Sequence, residues 1–247
     1  MILEVCVGSV ADALAARDGG ADRVELCSAL ELGGLTPSIG LVRCVTRACD
    51  LPAIAMIRSR AGGFCYDDAD FGVMLDDVDR MRDVGLAGFV FGFLRQDGEI
   101  DTERCRTLME HIGESESVFH RAFDVVPNME RSLEQLIELG VNRVLTSGGC
   151  ATAPEGADRI AWLVEQAGER IEILPGCGVR PSNLRELMKR TRCQQVHGTF
   201  RKLTRDISTR HNILVSYGLP GCDDPQAIGL TDSETVTRAR EILDAMD

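Results

Sequence analysis

Lysine is nearly missing from this sequence: of 27 basic residues, only Lys189 and Lys202 are lysines. Schiff-base catalysis requires an amine that can lose its proton in a pocket, a role arginine cannot take. Both lysines fall outside the predicted strands, Lys189 on an outer helix and Lys202 past the last strand, so class I aldolase chemistry is disfavoured. Cysteine is plentiful but unclustered: the ten, at 6, 27, 44, 49, 65, 105, 150, 177, 193 and 222, include no C-x-x-C pair, which removes zinc-ribbon sites. A chain of 247 residues with dispersed thiols and no basic leader is expected to keep them reduced in the cytoplasm. Positive charge is also short, with 27 Lys and Arg against 39 Asp and Glu and a net charge of −12. Nucleic acid and anionic membrane surfaces need a basic face and are excluded as partners. No apolar run approaches the roughly 18 residues of a membrane span.

What is present alternates. Short β-branched or apolar runs near 2–7, 22–27, 53–58, 87–92, 117–121, 142–146, 171–174 and 194–197 read as strands. Between them, amphipathic segments near 9–18, 38–48, 68–84, 101–112, 129–139, 155–168 and 181–190 read as helices. In "SVADALAARDGG" Ser9 is placed to cap, Val10, Ala13 and Leu14 follow helical spacing, and Gly19-Gly20 ends the segment. Eight strands with intervening helices predict a single-domain (β/α)8 TIM-type barrel over 1–200, with an open doubly wound sheet as the alternative. Residues 201–247 read as an extension, irregular at first and closing on a helix from about 232 to 245, packed on the barrel or on a neighbouring subunit.

Two stretches repeat one order of residues: Glu4-Val5-Cys6 and Glu25-Leu26-Cys27. Side chains alternate faces along a strand, so each Glu shares a face with its Cys, opposite the aliphatic residues that would meet the helices. Both Glu-x-Cys faces therefore point into the barrel. With neighbouring strands in matching register, the glutamates form one layer and the sulfurs the next, nearer the C-terminal mouth. Two such thiolates can hold Cu(I); the alternative is a pair of small buried hydrophobes.

Other polar groups stand at strand ends: Arg58 and Arg60 after the third strand, His120 and Asp124 around the fifth, His197 at the eighth. One account is a buried Glu–Arg network, with Arg58 the partner of Glu4 and Glu25. The other is catalytic: Arg58 anchors an anion, His120 transfers a proton, Asp124 orients it and Glu25 is a second acid or base. Glycine-bearing exits at Ser147-Gly148-Gly149 and at Gly176 and Gly178 are candidates for binding phosphate through backbone N–H groups.

The motifs "EVCV", "GGADRVELCSAL", "GGLTPS", "MIRSRAGGF", "FHRAFD" and "VLTSGG", in this order from residue 2 to about 198, resemble the CutC family, named for copper homeostasis. The resemblance implies a (β/α)8-type barrel, a cytoplasmic location, self-association as a dimer or tetramer, and Cu(I) bound by Cys6 and Cys27; no organic cofactor is implied. Two functions follow as expectations. The first is a copper-binding protein, its two thiols helped by a third such as Cys65. The second is a barrel enzyme of unassigned reaction acting on a small phosphorylated or carboxylated metabolite.

Overall fold

The computed structural model describes residues 1–212 and 214–246. Eight parallel strands, β1 (Ile2–Val7), β2 (Arg23–Leu26), β3 (Ala53–Met56), β4 (Gly88–Phe91), β5 (Glu116–Phe119), β6 (Arg143–Thr146), β7 (Glu172–Pro175) and β8 (Gln195–Gly198), alternate with helices. The hydrogen-bonded order is β7-β6-β5-β4-β3-β2-β1-β8, and β7 lies against β8, so the sheet curls into a nearly closed TIM-type barrel. An open doubly wound sheet would keep two free edges far apart, and this one does not.

Helices α1 (Val10–Asp18), α2 (Ile39–Ala48), α3 (Asp68–Met81), α4 (Thr102–Ile112), α5 (Met129–Leu139), α6 (Ala157–Ala167) and α7 (Pro181–Thr191) follow the first seven strands. The caps are those legible in the sequence: Ser9 and Ser38 accept backbone N–H groups at the starts of α1 and α2, and Pro181 opens α7. Beyond β8 the sequence predicts irregular chain. Instead, β9 (Arg201–Arg205) and β10 (Ala227–Thr231) pair antiparallel before α8 (Ser233–Asp244). Polar residues fill most of β9, which is largely exposed, so the strand carries no buried stripe by which to be recognised. Helix α8 packs against α1 and α7. Val236 sits on Gly19 so closely that a Cβ there would meet it at 2.5 Å.

Two apolar layers result. Leu3, Val5, Val7, Val24 and Leu26 join the layer between sheet and helices. Inside the barrel, Cys6, Cys27, Ile54, Met56, Val90, Val118, Leu145 and Leu174 form a second cluster. The parity argument for the first two strands thus holds. Near the N-terminal end the barrel is closed by a polar belt in place of aliphatics. Arg23 donates to Gln195 Oε1 (2.9 Å), Gln195 to Glu172 (3.0 Å), and Arg143 to both Glu172 (2.9 Å) and Glu116 (3.0 Å). These bonds tie side chains of β2, β5, β6, β7 and β8 to one another, which opposes any slip of register.

A thiol, carboxylate and histidine centre in the barrel mouth

β1 and β2 are adjacent but staggered: Glu4 stands level with Arg23, and Cys6 with Glu25. The matching register expected from the sequence is thus displaced by two residues. Closing eight strands into a barrel requires such shear, which no single strand encodes. The stagger changes the partners without separating the sulfurs. Cys6 Sγ and Cys27 Sγ lie 3.7 Å apart, both buried, and Cys27 Sγ donates to Glu25 Oε2 at 3.4 Å. Cys6, Glu25 and Cys27 offer ligand atoms all within 4.8 Å of one another, as do Glu4, Glu25 and His197. Cys65, the expected third thiol, is exposed and belongs to neither group; the donor that joins the pair is Glu25.

Glu4 is flanked at its own level by a cation on each side, Arg23 on β2 and His197 on β8. It accepts from Arg23 Nε and pairs with His197 Nδ1 at 2.8 Å. His197 Nε2 in turn faces Glu25 at 3.8 Å. Arg58, expected to pair with the glutamates, does not reach them. Its guanidinium donates instead to the carbonyls of Leu32 (2.8 Å), Gly34 (3.0 Å) and Gly62 (2.7 Å) and lies over the Phe64 ring. It ties down the loops after β2 and β3.

Protonation follows from these contacts. Burial opposes ionisation of Glu4, but the hydrogen bond and charge of His197 and the charge of Arg23 outweigh it and hold the carboxyl down to about 2. Burial likewise disfavours charge on His197, yet Glu25 and Glu4 and the Cys6 contact push its pKa well above 6.5. His197 is therefore an imidazolium at neutral pH. The hydrogen bond to Cys27, followed by burial, raises Cys6 well above 9. For Cys27 the hydrogen bond with Cys6 is the largest single influence and lowers the value, but burial and the Glu25 carboxylate together outweigh it and lift the thiol to about 11. Both thiols keep their protons.

His120 behaves differently. Burial and the nearby Arg58 charge hold it down to about 3. Its Nδ1 accepts from Ala122 N–H at 3.2 Å, which leaves the proton on Nε2. Gly92 makes room for the ring, since a Cβ there would meet it at 2.4 Å. Asp124, expected to orient His120, instead accepts from Arg121 (2.8 Å), from Thr146 Oγ1 (2.5 Å) and from the N–H groups of Ser147 (2.9 Å) and Gly149 (3.1 Å). The N–H of Gly148 donates to Thr146 Oγ1 at 2.9 Å. The 147–149 turn therefore uses its amides on its own chain, which explains why it offers no phosphate cradle. Gly178 lines the cavity, whereas Gly176 is closed over by Leu145 and His197. Arg60 turns away to Asp70 (2.6 Å) and the carbonyls of Gly63 and Cys65.

The two histidines make opposite contributions to stability. An unfolded histidine titrates near 6.5. Above that value the folded chain holds a proton on His197 that the unfolded chain has lost, so stability falls as pH rises. Below it, unfolded chains protonate at the position of His120 while folded ones do not, so stability falls as pH drops. Glu4 adds to the acid side below 4.5. The expected outcome is a maximum near pH 6.5, with limbs of about 1.4 kcal/mol per pH unit per group, read by urea unfolding across pH. A maximum displaced to pH 8 or above contradicts the charged state of His197.

Arg23 and Gln195 are the site residues not singled out from sequence. The signal was there: Arg23 shares the inward parity of Glu25 and Cys27, and Gln195 that of His197. Above the sulfurs a cavity of about 760 Å³ opens, bordered by Cys6, Glu25, Arg58, Phe64, His120 and His197.

Residues 1–202 match the CutC family, across all eight barrel strands. The chain belongs to the CutC family. A CutC family protein of Treponema denticola is 43% identical over 240 residues, covering 96% of this chain and 98% of its own length. A human relative named copper homeostasis protein cutC homolog is 40% identical over 242 residues, covering 98% of this chain and 87% of its own. Among solved structures, CutC of Streptococcus agalactiae superposes with a TM-score of 0.78 at 33% identity, covering 81% of this chain and 98% of that one. Phosphoribosylanthranilate isomerase of Thermotoga maritima, with a TM-score of 0.56 at 16% identity and covering 99% of this chain and all of that one, shares the barrel fold alone. Among the described residues of this CutC chain, no helix is long and apolar enough to cross a membrane.

Proposed function

We propose that this CutC protein binds Cu(I) through Cys6 and Cys27, with Glu25 as the adjoining oxygen donor, and serves copper homeostasis in the cytoplasm as a buffer or carrier. The observation that carries the reading is the pair of buried sulfurs 3.7 Å apart on neighbouring strands. Soft thiolates select Cu(I) over the harder divalent ions that carboxylates prefer. The surroundings suit cargo that arrives and leaves: both thiols are protonated in its absence, so the metal must displace protons and can be returned by them. His197 lies beside Glu25 and has no need to bind the ion itself, because its Nδ1 is held by Glu4. Its role is to carry a proton at Nε2 beside the carboxylate.

The test is a Cu(I) titration of the reduced chain against a competing chelator. One equivalent is expected to bind, and a Cys6→Ser/Cys27→Ser variant is expected to bind at least about a thousandfold more weakly, since hard hydroxyls replace soft sulfurs. Equal affinity of variant and parent removes these ligands.

A further inference from the structure

The cavity over the sulfurs is larger than one ion requires. Three side chains that border it hold polar atoms with no partner among the described residues: Arg58 Nε, His120 Nε2 and Glu25 Oε1. Their residues are only 5%, 4% and 2% exposed, a depth at which polar groups are almost always satisfied. Each is also fixed. The terminal nitrogens of Arg58 are held by three carbonyls, which leaves Nε–H unused. His120 is held as the Nε2–H tautomer by the Ala122 amide, and Glu25 is held through Oε2 by the Cys27 thiol. The two donors flank one aromatic ring, since Phe64 lies 5.3 Å from the Arg58 guanidinium carbon and 4.9 Å from the His120 ring centre.

Counting these atoms selects a ligand class. Two N–H donors match the two oxygens of one carboxylate, whereas a phosphate brings more oxygens than these side chains satisfy. One carboxylate oxygen accepts one proton, which suits a hydroxyl; an ammonium would leave two N–H groups unpaired. The remaining wall sets the apolar Leu30, Met56, Leu145 and Phe200 beside Arg121, Arg180 and Arg201, which suits an anion with an apolar body. We propose that the cavity binds a small hydroxycarboxylic acid with an apolar body, its carboxylate on Arg58 Nε and His120 Nε2 and its hydroxyl donating to Glu25 Oε1. This site shares Glu25 with the copper reading and relies on the Cys27 thiol to hold Glu25 Oε2, but neither sulfur touches the acid.

Thermal unfolding of the metal-free, reduced full chain tests it with three probes. 3-Phenyllactate is expected to raise Tm in a saturable way. 3-Phenylpropionate, which lacks only the hydroxyl, is expected to bind at least about tenfold more weakly because Glu25 is left unpaired. Inorganic phosphate is expected to give no shift. A His120→Asn variant keeps an acceptor for the Ala122 amide while losing the Nε2 donor, and should weaken 3-phenyllactate about tenfold or more. Because the chain is metal-free in this assay, the readout does not depend on copper binding at Cys6 and Cys27, which separates failure of this site from failure of the copper site. No shift with 3-phenyllactate at about 10 mM, equal binding of the two phenyl acids, or a larger shift with phosphate overturns the proposal. If His120→Asn does not fold, the paired acids on the parent chain decide alone.

Discussion

Copper(I) affinity is expected to rise about a hundredfold for each pH unit between roughly pH 6 and 8. Cys27 is pushed up to about 11, and Cys6 is raised well above 9. At any pH in that window both sulfurs carry protons, and both protons must leave when the metal binds as a thiolate complex. Two protons released per ion make the apparent association constant vary with the inverse square of proton concentration. An exposed pair of cysteines, titrating near the ordinary 9.0, follows the same law only until its thiols ionise and then flattens. Here the steep rise should persist past that point. Competition titrations at a series of pH values, corrected for the chelator's own protonation, read the slope directly. A flat profile means that the thiols are already ionised in the free protein, and the argument from burial beside Glu25 then fails.

Replacing Glu4 should be the most damaging single change in the barrel. Its carboxylate, 2% exposed, is the partner of Arg23 on one side and of His197 on the other. In Glu4→Ala two buried cations lose their counter-charge, a defect that typically costs about 3–5 kcal/mol. For a chain of this size that is a fall in Tm of about 6–20 °C. Glu4→Gln keeps an acceptor of the same shape but not the charge, and should fall between the two. The histidine reports the mechanism independently. Without Glu4, the pKa of His197 should drop, and the alkaline limb of the stability profile should shrink with it. NMR titration of the imidazole together with urea unfolding checks both. A loss under about 1 kcal/mol in Glu4→Ala would mean that Glu25 and Gln195 suffice to hold the two cations.

The alternating strands and helices of the barrel were legible along the chain, as was the inward parity of Glu4, Cys6, Glu25, Cys27 and His197. Each depends on a local period, 2 for strands and 3.6 for helices, that every residue shares with its neighbours in sequence. Capping was legible for the same reason, since Ser9 and Ser38 act on amides three residues away. Strand β9 was hidden because its exposed polar residues leave no apolar stripe, and without it the short β10 had no legible partner.

Tertiary structure alone decided who meets whom. Which residue of β2 stands level with Cys6 depends on the shear that closes eight strands, a property of the whole ring. That displacement of two residues gave Glu4 to Arg23 and His197 instead of Arg58, and set Glu25 beside the sulfurs. Elsewhere in the ring the fold gave Arg58 to the loop carbonyls, Asp124 to Ser147 and Gly149, and left His120 Nε2 without a partner among the described residues. The residue types and their facing are written locally, whereas their partnerships arise only when the sheet closes, because hydrogen bonds and charge pairs form across strands that lie as far apart in sequence as Glu4 and His197.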